Sequence, residues 1–166
     1  YEKEIKKICE EFEPDSILEI GILDGYSLSS FAKYSNKSAN IIGVDLFDDY
    51  PYKHGNREFL EDYFKKYKNV NIVAGDFYSF FEGINKFDII HIDISNDGDV
   101  YEFAVKNYLS KTNKLLMLEG GSKDRDKVDW MINFTKRPIN PYLEKISNNL
   151  NVEIIQKYPS MTLIRK

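Results

Sequence analysis

The sequence has a single cysteine, Cys9, in 166 residues, which excludes an internal disulfide and any multi-cysteine metal site. A reducing, cytoplasmic setting is the expectation that follows. No apolar run comes near the ~20 residues that a membrane-spanning helix needs, and no signal-peptide pattern opens the chain. Basic residues are not in excess: 23 Lys and Arg stand against 27 Asp and Glu, for a net charge of −4. They are scattered apart from short clusters such as Lys65-Lys66 and Lys123 to Lys127. Binding along a nucleic-acid backbone is therefore not expected. Repeats, low-complexity tracts and linkers are absent too, so residues 1–166 read as one domain, long enough to bury its own core. The chain opens on Tyr1 rather than Met, as a domain cut from a longer protein would.

What is present is a hydrophobic content of 42% with twelve Tyr and eleven Phe, enough for an ample core with rings left over for a surface or pocket. Short apolar runs alternate with amphipathic stretches, the pattern of an α/β fold. Ile5, Ile8, Cys9 and Phe12 share one helical face, and Pro14 ends that helix. Strands are expected at Ser16–Ile20, 40–47, Val70–Ala74, 87–93 and 114–120. The helices between them carry Leu28, Phe31 and Ala32, then Phe59, Leu60, Tyr63, Phe64 and Tyr67, then residues 78–82, then residues 100–109. Ser122 is an expected N-cap, with Asp124 and Asp126 in the first turn of its helix, and a last helix spans about 141–150. Two β-rich runs close the chain, Val152 to Tyr158 and Met161 to Arg165, joined by Pro159-Ser160. So short a connection cannot house a crossover helix, so these two strands form an antiparallel hairpin. A nicotinamide-binding fold would instead continue with parallel β-α units.

"SILEIGILDGYSLSSFAKYS", residues 16 to 35, runs from strand through Gly21 and Gly25 into helix, with Glu19 just before the bend. Such a turn brings free backbone N–H groups and the positive end of a helix dipole to a ligand. The G-x-x-x-G spacing is neither a dinucleotide fingerprint nor a phosphate loop, and by itself it also fits a plain strand-to-helix turn. Its company adds weight. Asp45, Asp76 and Asp93 stand at or just past the ends of the next three strands, converging on one sheet edge outside the topological switch point. That many carboxylates on one rim imply a ligand with hydroxyls, amines or positive charge.

"LEIGILDGYS", "IIGVDLFD", "VAGDF", "FDIIHID" and "LLMLEGG", followed by the hairpin, resemble the successive motifs of the class I S-adenosylmethionine-dependent methyltransferases, in their small O-methyltransferase-like branch. The resemblance covers nearly the whole chain from Ser16. It implies a Rossmann-like fold with sheet order 3-2-1-4-5-7-6 and methyl transfer to an oxygen of a small or saccharide-like acceptor. It places Glu19, Gly21 and Gly25 around the methionine part of S-adenosylmethionine, with Tyr26 and Ser27 near its carboxylate. It places Asp45 on the ribose, Leu46 or Phe47 beside the adenine, Asp76 on the adenine amino group, the backbone of Phe77 at the ring, and Asp93 in the same pocket.

Acids near Asp93 and Glu119 bind a divalent ion in metal-dependent members. Here "LEGG" and "ISNDGD" depart from their pattern, and a metal is not the expectation. For the catalytic step the candidates are Asp93, His54 as general base, and Asp97. Asp97 reads equally as a cap of the following helix, and Asn96 shares its place facing the donor methyl. His91 reads as a core histidine, and Trp130 as core. Ser122 and Arg125 face the same rim, and Tyr50 and Tyr52 could stack on an acceptor. One helix before the first strand leaves little to cover the acceptor site, so a second copy of the chain or an additional domain is expected to complete it. Two other readings stand beside this one: a non-catalytic binding or assembly module on the same fold, and a nicotinamide-dependent oxidoreductase, which Asp45 fits but the hairpin does not.

Overall fold

The computed structural model describes residues 1–52, 54–157 and 159–166. Seven strands, β1 (Ser16–Ile20), β2 (Asn40–Asp45), β3 (Val70–Ala74), β4 (Phe87–Ile92), β5 (Thr112–Glu119), β6 (Asn151–Ile155) and β7 (Met161–Arg165), form one sheet in the order β3-β2-β1-β4-β5-β7-β6. The first five are parallel, and β7 runs antiparallel to both β5 and β6. This is the Rossmann-like order expected from the motifs. Its switch point falls between β1 and β4, which pair directly although β2 and β3 intervene in sequence.

Among the described residues, seven α-helices cover the two faces: α1 (Glu2–Phe12), α2 (Tyr26–Tyr34), α3 (Arg57–Phe64), α4 (Phe77–Phe80), α5 (Gly98–Asn107), α6 (Asp129–Asn133) and α7 (Asn140–Ile146). Strand side chains alternate between faces, and each face has its own core. Ile17, Ile41, Ile89, Leu115 and Met117 pack with Ile5 and Ile8 of α1, Leu28 and Phe31 of α2, and Leu60 and Phe64 of α3. Leu18, Ile20, Val44, Ile90, Ile92 and Leu116 pack with Tyr101 and Ala104 of α5, Met131 of α6 and Leu143 of α7. Covered on both faces, every residue of β4 is buried. The edge strands β3 and β6 keep exposed positions.

The strand expected at 40–47 ends at Asp45 and the last helix at Ile146, and two further elements differ. The helix expected from Ser122 is a single 3₁₀ turn at Arg125–Lys127, and the α-helical turns begin only at Asp129. Tertiary contacts override the local pattern there. Asp126 accepts the Ile139 and Asn140 N–H groups at 2.6 and 2.9 Å, so the acid expected in a first turn instead anchors the start of α7. The strand expected from Val152 runs Asn151–Ile155, and Tyr158 lies outside the described residues. No helix among the described residues is long and apolar enough to cross a membrane.

Candidate functional site

The turn after β1 is built by Asp45. Oδ2 of its carboxylate accepts the N–H groups of Ile22 and Leu23 at 2.9 and 3.0 Å, and Oδ1 accepts that of Phe47 at 3.2 Å. These bonds hold Leu23 at a φ of 41°, in the left-handed region. Gly21, at φ 85°, donates its N–H to Val44 at 2.8 Å, and its bare Cα lies against the backbone of Asp93. Gly25 starts α2 at φ 76°. A methyl group on it would meet Leu60 and Phe64, so it faces the α3 packing and not an open site, a correction to its expected place beside a cofactor.

Asp45, Asp76 and Asp93 do meet. With Leu46, Gly75, Phe77 and the backbone after β4 they line a cavity of about 440 Å³ at the carboxyl edge of the sheet. Asp76 is also the cap of α4, accepting the Tyr78 N–H at 3.2 Å. Phe77 is buried and stacks on Tyr108, centroids 5.3 Å apart. Phe47, offered with Leu46 as the residue beside an adenine, points away into the α3 core; Leu46 alone of the two lines the cavity. A second cavity of about 530 Å³ opens on the other side of the turn, where Tyr26, Ser27, Lys33, Tyr63 and Tyr67 lie. Gly21, Leu23 and Asp93 line both cavities and mark their junction.

Behind that junction the α1–α3 face of the sheet carries a polar row. Glu19 and His91 are register partners on β1 and β4, both fully buried, with His91 Nδ1 and Glu19 Oε1 3.0 Å apart. The Ser27 hydroxyl donates to the same Glu19 oxygen. Glu19 therefore lines neither cavity. The carboxylate expected around a methionine moiety instead fixes Ser27, which does line the second one, a correction that follows from β1 pointing position 19 inward. Burial alone pulls the His91 imidazole down, but the Glu19 hydrogen bond and the charges of Glu19, Asp93 and Glu119 outweigh it and raise it above the usual histidine range. Burial pushes Asp93 up, opposed by His91 and reinforced by Glu19. Burial also pushes Glu119 up to about 7, against the pull of Arg125.

All three shifts have one sign. A group whose folded pKa lies above its unfolded value contributes stability at low pH that is lost as pH rises through the folded pKa. For Glu119 that window runs from 4.5 to about 7, and it is worth on the order of 3 kcal/mol. The melting temperature of the ligand-free protein is therefore expected to fall between pH 5 and pH 8, and Glu119→Gln should flatten the slope. A melting temperature that rises over this range in both proteins contradicts the assignment.

Asp93 and Glu119 were the two residues that could hold a divalent ion. Arg125 Nη2 donates to Glu119 Oε2 at 2.9 Å, putting a fixed cation where a metal would compete for the same oxygen. Among the described residues no group of three or more His, Cys, Asp or Glu side chains is disposed to hold a metal. This donor set does not fit a resident ion, and no chemical step is assigned to one.

His54 and Asp97 both border the first cavity. His54 Nδ1 lies 3.1 Å from the Gly55 carbonyl oxygen. Asp97 Oδ1 caps α5, accepting from Asp99 and Val100 at 3.0 Å, while Oδ2 is 3.4 Å from Lys136 Nζ. Asn96 is fully buried, with Nδ2 donating to the Ile92 and Glu119 carbonyls at 2.9 Å, so it clamps β4 to β5 and offers nothing to a ligand. Ser122 does not cap a helix. Trp130 is half-buried under the Arg125 guanidinium, 5.0 Å from its ring. Lys136, Tyr78 and Val100 also line the first cavity and were not singled out from sequence. Tyr78 and Val100, each at the start of an expected helix, carried a positional signal; Lys136 carried none.

Comparison with curated proteins finds no sequence match. Among solved structures the chain superposes on the O-methyltransferase TomG of Streptomyces achromogenes, crystallised in complex with SAM, with a TM-score of 0.70 at 16% identity, over 99% of this chain and 78% of that one. The O-methyltransferase of Bacillus cereus, crystallised with SAH, gives 0.70 at 16% over 99% and 80%. A methyltransferase of Geobacter sulfurreducens gives 0.65 at 18% over 99% and 77%. At such identities these likenesses show the fold. The sequence model described as "Methyltransferase domain" matches residues 18–116, from β1 into β5 and more than half of the chain, and the chain belongs to that methyltransferase family.

Proposed function

We propose that the chain transfers a methyl group from S-adenosylmethionine to an oxygen of a small hydroxylated acceptor. The observation that carries this reading is the pair of cavities joined at Gly21, Leu23 and Asp93. One offers carboxylates and apolar walls suited to a nucleoside, and the other offers Ser27 and the start of α2 to a short zwitterionic tail. The bare Cα of Gly21 lets the end of β1 close on the Asp93 backbone, which holds that junction together.

S-adenosylmethionine, when bound, supplies an activated methyl carbon on a sulfonium centre, so the protein's part is binding, in-line positioning and exclusion of water. Asp45 is the residue for the ribose. An ionised carboxylate has about four acceptor sites, and three are taken by Ile22, Leu23 and Phe47. Asp45 thus joins the ligand to the turn beneath it. Asp76 and the backbone of Phe77 serve the adenine, with Leu46 as its apolar wall. Ser27, fixed by Glu19, and Tyr26 serve the methionine end. Asp93, at the junction, is the carboxylate placed to take the proton that an acceptor hydroxyl gives up. His54 and Asp97 border only the nucleoside-side cavity, which sets them apart from that junction. A second copy of the chain or a further domain covering the second cavity is part of this proposal.

Calorimetry with S-adenosylhomocysteine and with NAD tests the reading directly: the first should bind and the second should not. A charge-assisted hydrogen bond is worth about 1.5–3 kcal/mol. Asp45→Ala is therefore expected to weaken S-adenosylhomocysteine at least tenfold while the chain still folds. Unchanged affinity in this variant, or binding of NAD in place of S-adenosylhomocysteine, would falsify the assignment.

A further inference from the structure

α3 leaves one of its faces unpacked. Leu60 and Phe64 enter the core, but beside them stand Phe59, 61% exposed, and Tyr63, 40% exposed, their rings stacked with centroids 6.2 Å apart. Lys66 continues the stripe, its ammonium 3.6 Å from the centre of the Tyr63 ring. Tyr26, 79% exposed at the start of α2, lies on the same side: Gly25 is set against Leu60 and Phe64, and Tyr26 lines the second cavity together with Tyr63 and Tyr67. At about 150–250 Å² for a whole ring, Tyr26, Phe59 and Tyr63 leave roughly 270–450 Å² of aromatic surface in water. Patches of that size on a monomer are often functional.

The charges flanking the stripe select its partner. Arg57 pairs with Glu61 at 2.7 Å, and Lys65 with Asp62 at 3.0 Å. Glu58 and Lys66 stand outside these pairs, and neither has an ion-pair partner among the described residues. Eight positions separate them in the sequence, about 12 Å along the axis, so they cannot reach each other within one helix. The surface is acidic at one end, aromatic in the middle and basic at the other, and its complement is the same surface turned end for end. We propose that two copies of the chain pair through α3, antiparallel about a two-fold axis, with Glu58 of each meeting the partner's Lys66 and the Phe59 and Tyr63 rings of the two interleaving between them. Asp62, nearest the axis, is already matched by Lys65. The rings supply about half of the ~800 Å² per partner of a standard interface, close to the apolar share that such interfaces have. Tyr26, Tyr63 and Tyr67 line the second cavity, so the pairing also closes its outer side over the place given to the methionine end. That closure rests on the methyl-transfer reading; the pairing does not.

Sedimentation velocity across the micromolar range, with S-adenosylhomocysteine titrated into each protein, tests this on wild type, Phe59→Ala, Glu58→Lys, Lys66→Glu and the Glu58→Lys/Lys66→Glu double variant. All three positions are exposed, so the monomer should fold in every variant. Wild type should dimerise. Phe59→Ala and each charge reversal should raise the dissociation constant about tenfold or more. The double variant should return to within about threefold of wild type, which a role within one helix would not produce. Phe59 lines neither cavity, so weaker S-adenosylhomocysteine binding by Phe59→Ala would report the lost closure. A monomeric wild type, a dimer indifferent to these variants, or a double variant no better than the singles overturns the pairing. Dimerisation lost with S-adenosylhomocysteine affinity unchanged overturns the closure. A dimer that does not bind S-adenosylhomocysteine at all removes the methyl-transfer reading and leaves the pairing in place.

Discussion

Gly21→Ala is expected to abolish cofactor binding and to cost the fold more than ~4 kcal/mol, at the extreme of single-residue effects. The added methyl would overlap the carbonyl oxygen of Asp93 and lie 2.7 Å from its carbonyl carbon and from Ile94 Cγ2. Two of those three atoms are backbone at the end of β4, so no rotamer change relieves the clash. The position is also at φ 85°, where an L side chain is strained by a further ~1–3 kcal/mol. Either β1 and β4 part at the switch point or the turn is rebuilt, and both outcomes pull Gly21 and Asp93 apart at the junction of the two cavities. Gly83→Ala is the matched control, because a methyl there meets nothing within 4 Å. Thermal melts and S-adenosylhomocysteine titrations on the two variants decide the matter. Gly21→Ala behaving like Gly83→Ala would mean that the close approach of β1 and β4 is not required.

The second large effect is expected at Glu19. Removing one member of a buried charged pair costs about 3–5 kcal/mol because the other is left uncompensated. In Glu19→Leu the fully buried His91 loses the partner of Nδ1, and its Nε2 already lacks one among the described residues. A loss of that size should lower the melting temperature by ~6–20 °C for a chain of this length. His91→Leu should be comparably harmful, since the Glu19 carboxylate then keeps only the Ser27 hydroxyl. The double variant Glu19→Leu/His91→Leu should be less damaged than the sum of the singles by ~2 kcal/mol or more, the signature of direct coupling. Additive losses would show that the two residues act independently. Ser27 supplies a separate readout: freed from Glu19 it should bind the methionine end less well, so Glu19→Leu is expected to weaken S-adenosylhomocysteine even where it stays folded.

Much of this molecule was legible as a string. The alternation of apolar runs gave five parallel strands, because a strand buried on both faces is largely apolar, as β4 is apart from Asp88 and His91. The Pro159-Ser160 connection required a hairpin. The order of the glycine and acid motifs brought Asp45, Asp76 and Asp93 to one edge, since in a parallel sheet all carboxyl ends share a side. The helix expected at Ser122 was not legible, because the acid that would start it is claimed by backbone N–H groups of Ile139 and Asn140. Nor was the placement of Phe47 against Leu46, since both are apolar and only the turn's geometry separates them.

Local chemistry along the chain thus settled most of the elements and which edge gathers the acids, while the order in which the strands pair was implied by the resemblance of the motifs and is seen in the sheet. It could not settle what each polar side chain touches. Glu19 and His91 are 72 positions apart and meet only because β1 and β4 lie side by side in one register. Asp45 is turned to the loop beneath it, Arg125 covers Glu119, and Tyr1 stands edge-on to His91. A two-residue period tells which face a side chain takes, but its partner is chosen by strands and helices distant in the chain. Only the packed structure brings those into contact.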